Sequence, residues 1–257
     1  MDNKACKEKL EKLSMLVMET GEALLECGGE IYRVDETIAI MAKAYGANAR
    51  VYTLSNGLFF TLTCGEAMST YVMEVPIAEM NLGRVAQINN LSRAIQKGEY
   101  TIEQAHAKLK EIKQEKAFDK KTRIFFAGVA GATFSYLFGG RTYDLLAAYI
   151  ASSLLYIFAL FASSKKFPKY LRIVVGSSLA TFISQALFYL GLGNNLNYII
   201  IGAIITMVPG ATLTIAVREY IYEDYLSGTI HLVDALLTSI SMAVGVITMF
   251  EITRMLF

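Results

Sequence analysis

Between residues 124 and 250 the chain carries five apolar stretches in succession, and the fourth is interrupted by Met207-Val208-Pro209-Gly210-Ala211-Thr212. In hydrocarbon a helix must satisfy its backbone N–H and C=O groups internally, and proline both removes a donor and clashes with the preceding turn. A break at membrane depth therefore has to face protein, water or a solute. Solute movement across a membrane is the first reading this supports.

The five stretches, 124–140, 144–162, 172–192, 197–217 (broken at 209–210) and 230–250, are each near the roughly 17 to 25 residues that a crossing needs. The first is short and borrows Gly139 and Gly140. At 54% hydrophobic residues the 257-residue chain is too apolar for an ordinary soluble domain, yet residues 1–123 hold most of the charge. The expected fold is an α-helical membrane protein: a small cytoplasmic α+β domain at 1–121, then five transmembrane helices within 122–257.

Lys and Arg stay on the cytoplasmic side of a membrane. Lys120, Lys121 and Arg123 precede the first span, and Lys165, Lys166, Lys169 and Arg172 fill the loop between the second and third. The turn at 139–143 carries only Arg141, and 191–197 carries no charge. This places the amino terminus in the cytoplasm and, after five crossings, Phe257 outside. Residues 1–26 are charged throughout and give no cleavable signal peptide. Cys6, Cys27 and Cys64 are odd in number and lack metal-ligand spacing, so free thiols are expected and no metal site. A net charge of +1 without a basic stripe argues against nucleic acid.

In the soluble part, Leu10, Leu13, Leu16, Val17, Leu24 and Leu25 recur at helical spacing and predict a helix over 4–27 ending at Gly28-Gly29. A second helix is expected at 30–45. Strands at 50–54 and 58–63 flank Ser55-Asn56-Gly57, a hairpin signal, and 67–75 supplies a third. Helices at 80–97 and 101–116 follow, the second opened by a Thr101/Gln104 capping box. His106, on a Gln/Ala/Lys-rich helix, reads as solvent-facing. The acidic run Glu19, Glu22, Glu26, Glu30, with Asp35 and Glu36 beyond, fits a cation site or a solvated face. No phosphate-binding glycine loop is present, which argues against an ATP-driven pump.

Candidate solute ligands cluster at the break. Pro209 and Gly210 split or kink the helix. A helix start after Gly210 attracts a carboxylate, and the carbonyls ending near Met207 favour an ammonium group or a proton carrier. Thr206, Thr212 and Thr214 either bond solute or heal freed backbone groups. Gln185, with Ser177, Ser178, Thr181 and Ser184, gives the third span a polar face that belongs inside a bundle, where interhelical hydrogen bonds are the alternative to ligand contacts. Arg218, about two helical turns past the break, meets a carboxylate or snorkels to the interface. Asp144, Asp234 and His231 are the proton-coupling candidates. Gly128, Gly131, Ala132, Ala243 and Gly245 read as packing positions.

Leu24-Leu25-Glu26-Cys27-Gly28-Gly29-Glu30-Ile31-Tyr32-Arg33-Val34-Asp35-Glu36, then Ala44-Tyr45-Gly46 and Ser55-Asn56-Gly57, resemble the amino-terminal domain of the threonine/serine exporter family. Gly139-Gly140 with Asp144, Val208-Pro209-Gly210, Leu213, Ala216-Val217 and Gly228 resemble that family's spans in the same order. The resemblance implies a proton-linked secondary exporter in the plasma membrane, needing no cofactor and driven by the proton gradient. Its solutes are threonine and serine in one branch and succinate in another. It favours function for Asp144. It further implies a split form, whose partner is a small separate membrane subunit, with a homo-oligomer as the other arrangement. Two other classes compete: a membrane-anchored enzyme or metabolite sensor, and a scaffold that only assembles a partner.

Overall fold

The computed structural model describes residues 3–75, 81–114, 118–165 and 167–256. Met80 and Lys116, expected as helix ends, the loop cation Lys166 and the terminal Phe257 lie outside the described residues. Two compact units form: one from Met1–Glu115 together with Arg218–Ile230, the other from Lys116–Val217 together with His231–Phe257.

The first unit contains α1 (Asn3–Glu26), α2 (Ile31–Ala44), β1 (Asn48–Leu54), β2 (Gly57–Cys64), β3 (Ala67–Glu74), α3 (Leu82–Gln96) and α4 (Ile102–Gln114). Gly28 ends α1 in the left-handed region at φ +69°. The Gly29 N–H then reaches the Leu24 carbonyl at 2.8 Å and the Gly28 N–H that of Leu25 at 3.0 Å, closing the orphan carbonyls of the last turn. The three strands form an antiparallel meander ordered β1-β2-β3. Leu54 pairs with Gly57, so the hairpin turn is Ser55-Asn56 and Gly57 opens β2. Leu58, Phe60, Leu62 and Cys64 turn the buried face of β2 toward Leu10, Leu13, Leu16 and Leu24 of α1. Gly21 lets the helix close on Leu58, where a Cβ would collide. The expected capping box opens α4, with Thr101 N–H on Gln104 at 2.9 Å and Gln104 N–H on Thr101 at 3.3 Å.

Two expectations for this unit change. His106 is not simply solvated: its Nε2 lies 3.0 Å from Glu19 Oε1 on α1, and both side chains are about two-thirds buried. Nor is the acidic run a bare solvated face, because Glu22 pairs with Lys113 at 2.8 Å and Glu30 with Arg33 at 3.1 Å. Lys12–Glu103, Glu19–His106 and Glu22–Lys113 follow one another along α1 and α4, whose residue numbers rise together, so opposite charges on two parallel helices meet in register.

The second unit contains α5 (Lys120–Leu137), α6 (Thr142–Ser164), α7 (Lys169–Tyr189), α8 (Leu196–Ile204) with a 3₁₀ turn at Ile205–Met207, and the membrane parts of α9 (Gly210–Ile221) and α10 (Tyr225–Leu256). Thr142–Ser164, Lys169–Tyr189 and Tyr225–Met255 are long and apolar enough to cross a membrane, and Leu196–Met207 with Gly210–Ile221 makes a fourth if the bent pair is one span. α5 is not among them, because three of its 18 residues, Lys120, Lys121 and Arg123, are charged. α10 also runs 32 residues, beyond the expected 230–250, because Gly228 sits inside its first turns without ending it.

Helix contacts in this unit are built on small residues, as lipid-exposed bundles require. A Cβ on Gly131 would stand 2.9 Å from the Ala148 carbonyl and 3.0 Å from that of Gly202; one on Gly202 would stand 2.5 Å from the Gly131 carbonyl. Gly128 meets Tyr149 and Ser153, and Gly245 meets Val174 and Ser177. Ala243, expected as a packing position, is instead exposed, and Ala132 is half-buried.

Polar contacts join α7 to α10 along their length: Lys169 and Tyr170 to Asp234 at 2.5 and 3.1 Å, Ser178 to the Gly245 carbonyl at 2.8 Å, and Thr253 to Gln185 at 2.7 Å. Residue numbers rise together along both helices, so α7 and α10 run parallel. Two helices joined by a re-entrant hairpin would run antiparallel; parallel neighbours need a connection that returns across the layer.

Candidate functional site

The break begins where Val208 is forced into extended backbone (φ −64°, ψ 126°), the conformation that a following proline imposes. The 3₁₀ turn before it tightens the end of α8, with Val208 N–H on the Ile205 carbonyl at 3.1 Å. α9 restarts at Gly210 and the two halves meet at 57°. Thr214 Oγ1 donates to the Gly210 carbonyl in the first turn of α9 at 2.9 Å.

One side of the break is closed. Met207 packs against a cluster of Ala151, Leu155, Ala180 and Ala203, and its Cε occupies the space that a Cβ on Gly176 would need, at 2.5 Å. The other side is open: Thr206, Val208, Gly210, Ala211, Leu213 and Thr214 are exposed, Thr212 is half-buried, and nothing lies within 4 Å of a Cβ built on Gly210. The result is a pair of helix ends with fixed partial charges, backed by packed alanines on one face and uncovered on the other.

The remaining sequence candidates do not converge here. Gln185 is buried (4% exposed) and accepts from Thr253, a residue the sequence reading did not single out. It lies nine residues beyond Gly176 on α7, about 13 Å along the axis. Of the polar face on α7, only Ser178 and Gln185 bond across to another helix. Ser177, Thr181 and Ser184 donate to their own helix's carbonyls at 2.8 Å, since the carbonyl four residues back is the nearest acceptor.

Asp144 sits at the third position of α6 and is 2% exposed. It accepts from the backbone N–H of Arg141 (2.9 Å), Asn194 (2.6 Å) and Asn195 (2.9 Å). It therefore caps α6 and ties down the loop before α8. Asp234 is held by both Lys169 and Tyr170, at 2.5 and 3.1 Å. His231 is half-buried one turn earlier on α10. Lys169 counted in the sequence only as a topology signal, and nothing there pairs it with a carboxylate 65 residues away.

Arg218 belongs to the first unit and pairs with Glu30. In that unit burial pushes the Asp35 carboxyl up, with the Asp224 charge adding to it and the Thr53 hydroxyl, 2.5 Å away, opposing it. Burial likewise raises the Cys27 thiol, against Arg84. Cys6 and Cys64 are buried free thiols whose sulfurs are 2.6 Å apart. Among the described residues no group of three or more His, Cys, Asp or Glu is placed to hold a metal ion.

Three helices long and apolar enough to cross a membrane, with a bent pair that makes a fourth if it is one span, describe a polytopic α-helical membrane protein. The profile of the threonine/serine exporter family matches residues 15–253, and the chain belongs to that family. No curated protein and no solved structure matches it.

Proposed function

We propose that the chain is one subunit of a secondary-active exporter that moves threonine and serine out across the plasma membrane through the break at 207–212. The carrying observation is the half-open break: helix ends of opposite partial charge, closed behind by Met207 and the alanine cluster and uncovered in front. An amino acid zwitterion engages both ends, its carboxylate at the start of α9 and its ammonium at the carbonyls ending the 3₁₀ turn. A dicarboxylate would leave the second end unused. Pro209 and Gly210 create the ends, and Thr206 and Thr212 supply hydroxyls beside them. Gln185 acts further along the same path.

Backbone at membrane depth must be covered by protein or water. The open face is the reason to assign a partner, a small separate membrane subunit of the same family, with a second copy of this chain as the alternative. Five crossings follow if α5 spans as α6's antiparallel neighbour and the bent pair spans once, as parallel α7 and α10 favour. Lys120, Lys121 and Arg123, with Lys165, Lys169 and Arg172, then face the cytoplasm, which puts the amino terminus inside and the carboxyl end outside. The proton gradient drives export. Asp234 and His231 carry the coupling proton, while Asp144 serves chiefly as a cap.

Efflux of preloaded labelled threonine, serine and succinate from cells expressing the chain with and without the second subunit tests this reading. Threonine or serine efflux that needs both proteins and collapses when the proton gradient is dissipated is the expected result. Efflux of succinate alone would replace the substrate, and no efflux of any of the three would overturn the function.

A further inference from the structure

Cys6 stands in the first turn of α1 and Cys64 is the last residue of β2, 58 positions on. Their sulfurs nonetheless lie 2.6 Å apart, and the two residues are only 3% and 6% exposed. Both are free thiols. A disulfide bond is about 2.05 Å long, so a closure of roughly 0.5 Å separates this contact from a covalent one. A cysteine that only fills apolar space needs no second sulfur beside it. Cys27, in the turn that ends α1, is about 30 Å from Cys6 along the helix and has Arg84 Nη1 at 3.9 Å from its sulfur. The pair is therefore confined to Cys6 and Cys64, both within the first unit.

The surroundings give an oxidant a way in. Cys64 pairs with Ala67 across the two-residue turn Gly65-Glu66, and both turn residues are exposed. Gly65 is in the left-handed region at φ +59°, and a Cβ there would stand 3.9 Å from Cys6 Sγ, so the sulfurs lie directly beneath this turn. On the other side, the first N–H groups of α1 have no intrahelical acceptor, and helix ends open more readily than the core they adjoin. While the helix end is closed, the hydrogen bond with Cys64 holds the Cys6 thiol above its ordinary range, burial adds to this and Lys9 opposes it. Attack thus waits on opening of the helix end, where water restores the thiolate.

We propose that Cys6 and Cys64 are a reversible oxidation site, a dithiol that a small-molecule disulfide of the glutathione kind converts to an intrachain disulfide fastening the start of α1 to the β2–β3 turn. One cysteine thiolate attacks a sulfur of the small disulfide, whose S–S bond breaks to release one thiol and leave a mixed disulfide. The second cysteine then attacks the protein sulfur of that mixed disulfide and displaces the other thiol. Two cysteine thiols are oxidised, one disulfide is reduced, and the two protons leave on the released thiols. The new bond spans 58 positions, taking in most of α1, all of α2 and β1, and β2, and such a cross-link restricts the opened chain far more than the folded one. A reducing thiol pool runs the same steps backwards.

The test uses the full chain in detergent, equilibrated with mixtures of reduced and oxidised glutathione, quenched in acid, unfolded and then alkylated with a maleimide. All three cysteines should take the label at the reducing end of the series. At the oxidising end only Cys27 should take it, with peptide mapping showing a Cys6–Cys64 cross-link, and dithiothreitol should restore the rest. Hydrogen exchange in the first turn of α1 should slow by about tenfold in the oxidised chain. Cys6→Ser and Cys64→Ser should each stop at the mixed disulfide with no intrachain cross-link, and the parent chain carries the test by itself where a variant fails to fold. Full labelling in every mixture, or label on Cys27 alone in every mixture, overturns the reversible site. So does a cross-link that includes Cys27, a glutathione adduct on the parent chain that never resolves into the intrachain bond, or an oxidised chain whose α1 exchanges as fast as the reduced one.

Discussion

The soluble and membrane units bury opposite kinds of side chain. The first encloses Leu10, Leu13, Leu16, Ile38, Met41 and Phe60, all 2% exposed or less, between helices and a sheet. The second brings Gly131, Ala148, Ser152 and Gly202 together at its closest helix contact and leaves Phe126, Leu154, Ile157 and Phe161 on its outside. Water drives large apolar groups inward, whereas lipid gives them no such incentive and close backbone approach decides the packing. A buried leucine and a buried glycine are thus the equivalent residues of the two units.

That comparison breaks first at the glycines. Gly202→Leu drives a side chain into the Gly131 carbonyl, which cannot rotate away, and should cost more than about 3 kcal/mol. The check is the fraction of chain recovered as a monodisperse, helical species from membranes; full recovery would mean that the α5–α6–α8 contact is not tight. Leu16→Ala, in the soluble core, should cost about 3 kcal/mol from lost burial and the cavity left behind, read as faster hydrogen exchange along α1 and β2 in the full chain. The same substitution on the lipid-facing side of α6, Leu154→Ala, should cost less than about 0.5 kcal/mol. If Leu154→Ala proves as costly as Leu16→Ala, Leu154 is covered by protein and the outside of the membrane unit has been drawn wrongly.

Local signals carried most of this architecture. Helical periodicity located α1, glycine in the left-handed region follows the ends of α1 and α2, and the Ser55-Asn56 turn set the hairpin register. Pro209 within an apolar run marked the break, since backbone chemistry alone requires an interruption there. Partnerships across the chain were not readable in the same way. An acidic helix face looks identical whether water or a second helix neutralises it, so Glu19 and Glu22 gave no sign of His106 and Lys113. Arg218 beside an apolar span points as well to a solute or a headgroup as to Glu30, and only the return of residues 218–230 to the soluble unit decides its partner. Two of the three serines of the polar α7 face, Ser177 and Ser184, bond within their own helix and only Ser178 reaches another, because a hydroxyl in a helix has its own carbonyl ladder within reach before any neighbour's. Asp144 carried its information in three backbone donors, a property of fold and not of residue type.

The central claim is that solute passes at the interruption between α8 and α9. Replacing Pro209 by alanine and Gly210 by leucine together restores a donor and a helix former, straightening the span while leaving its length and charge unchanged. With insertion and assembly verified, threonine and serine efflux by this double variant is the measurement to make. Loss of efflux, to a tenth of the parent rate or about 1.4 kcal/mol in the barrier, is the predicted result; efflux at the parent rate through a continuous helix would contradict the account.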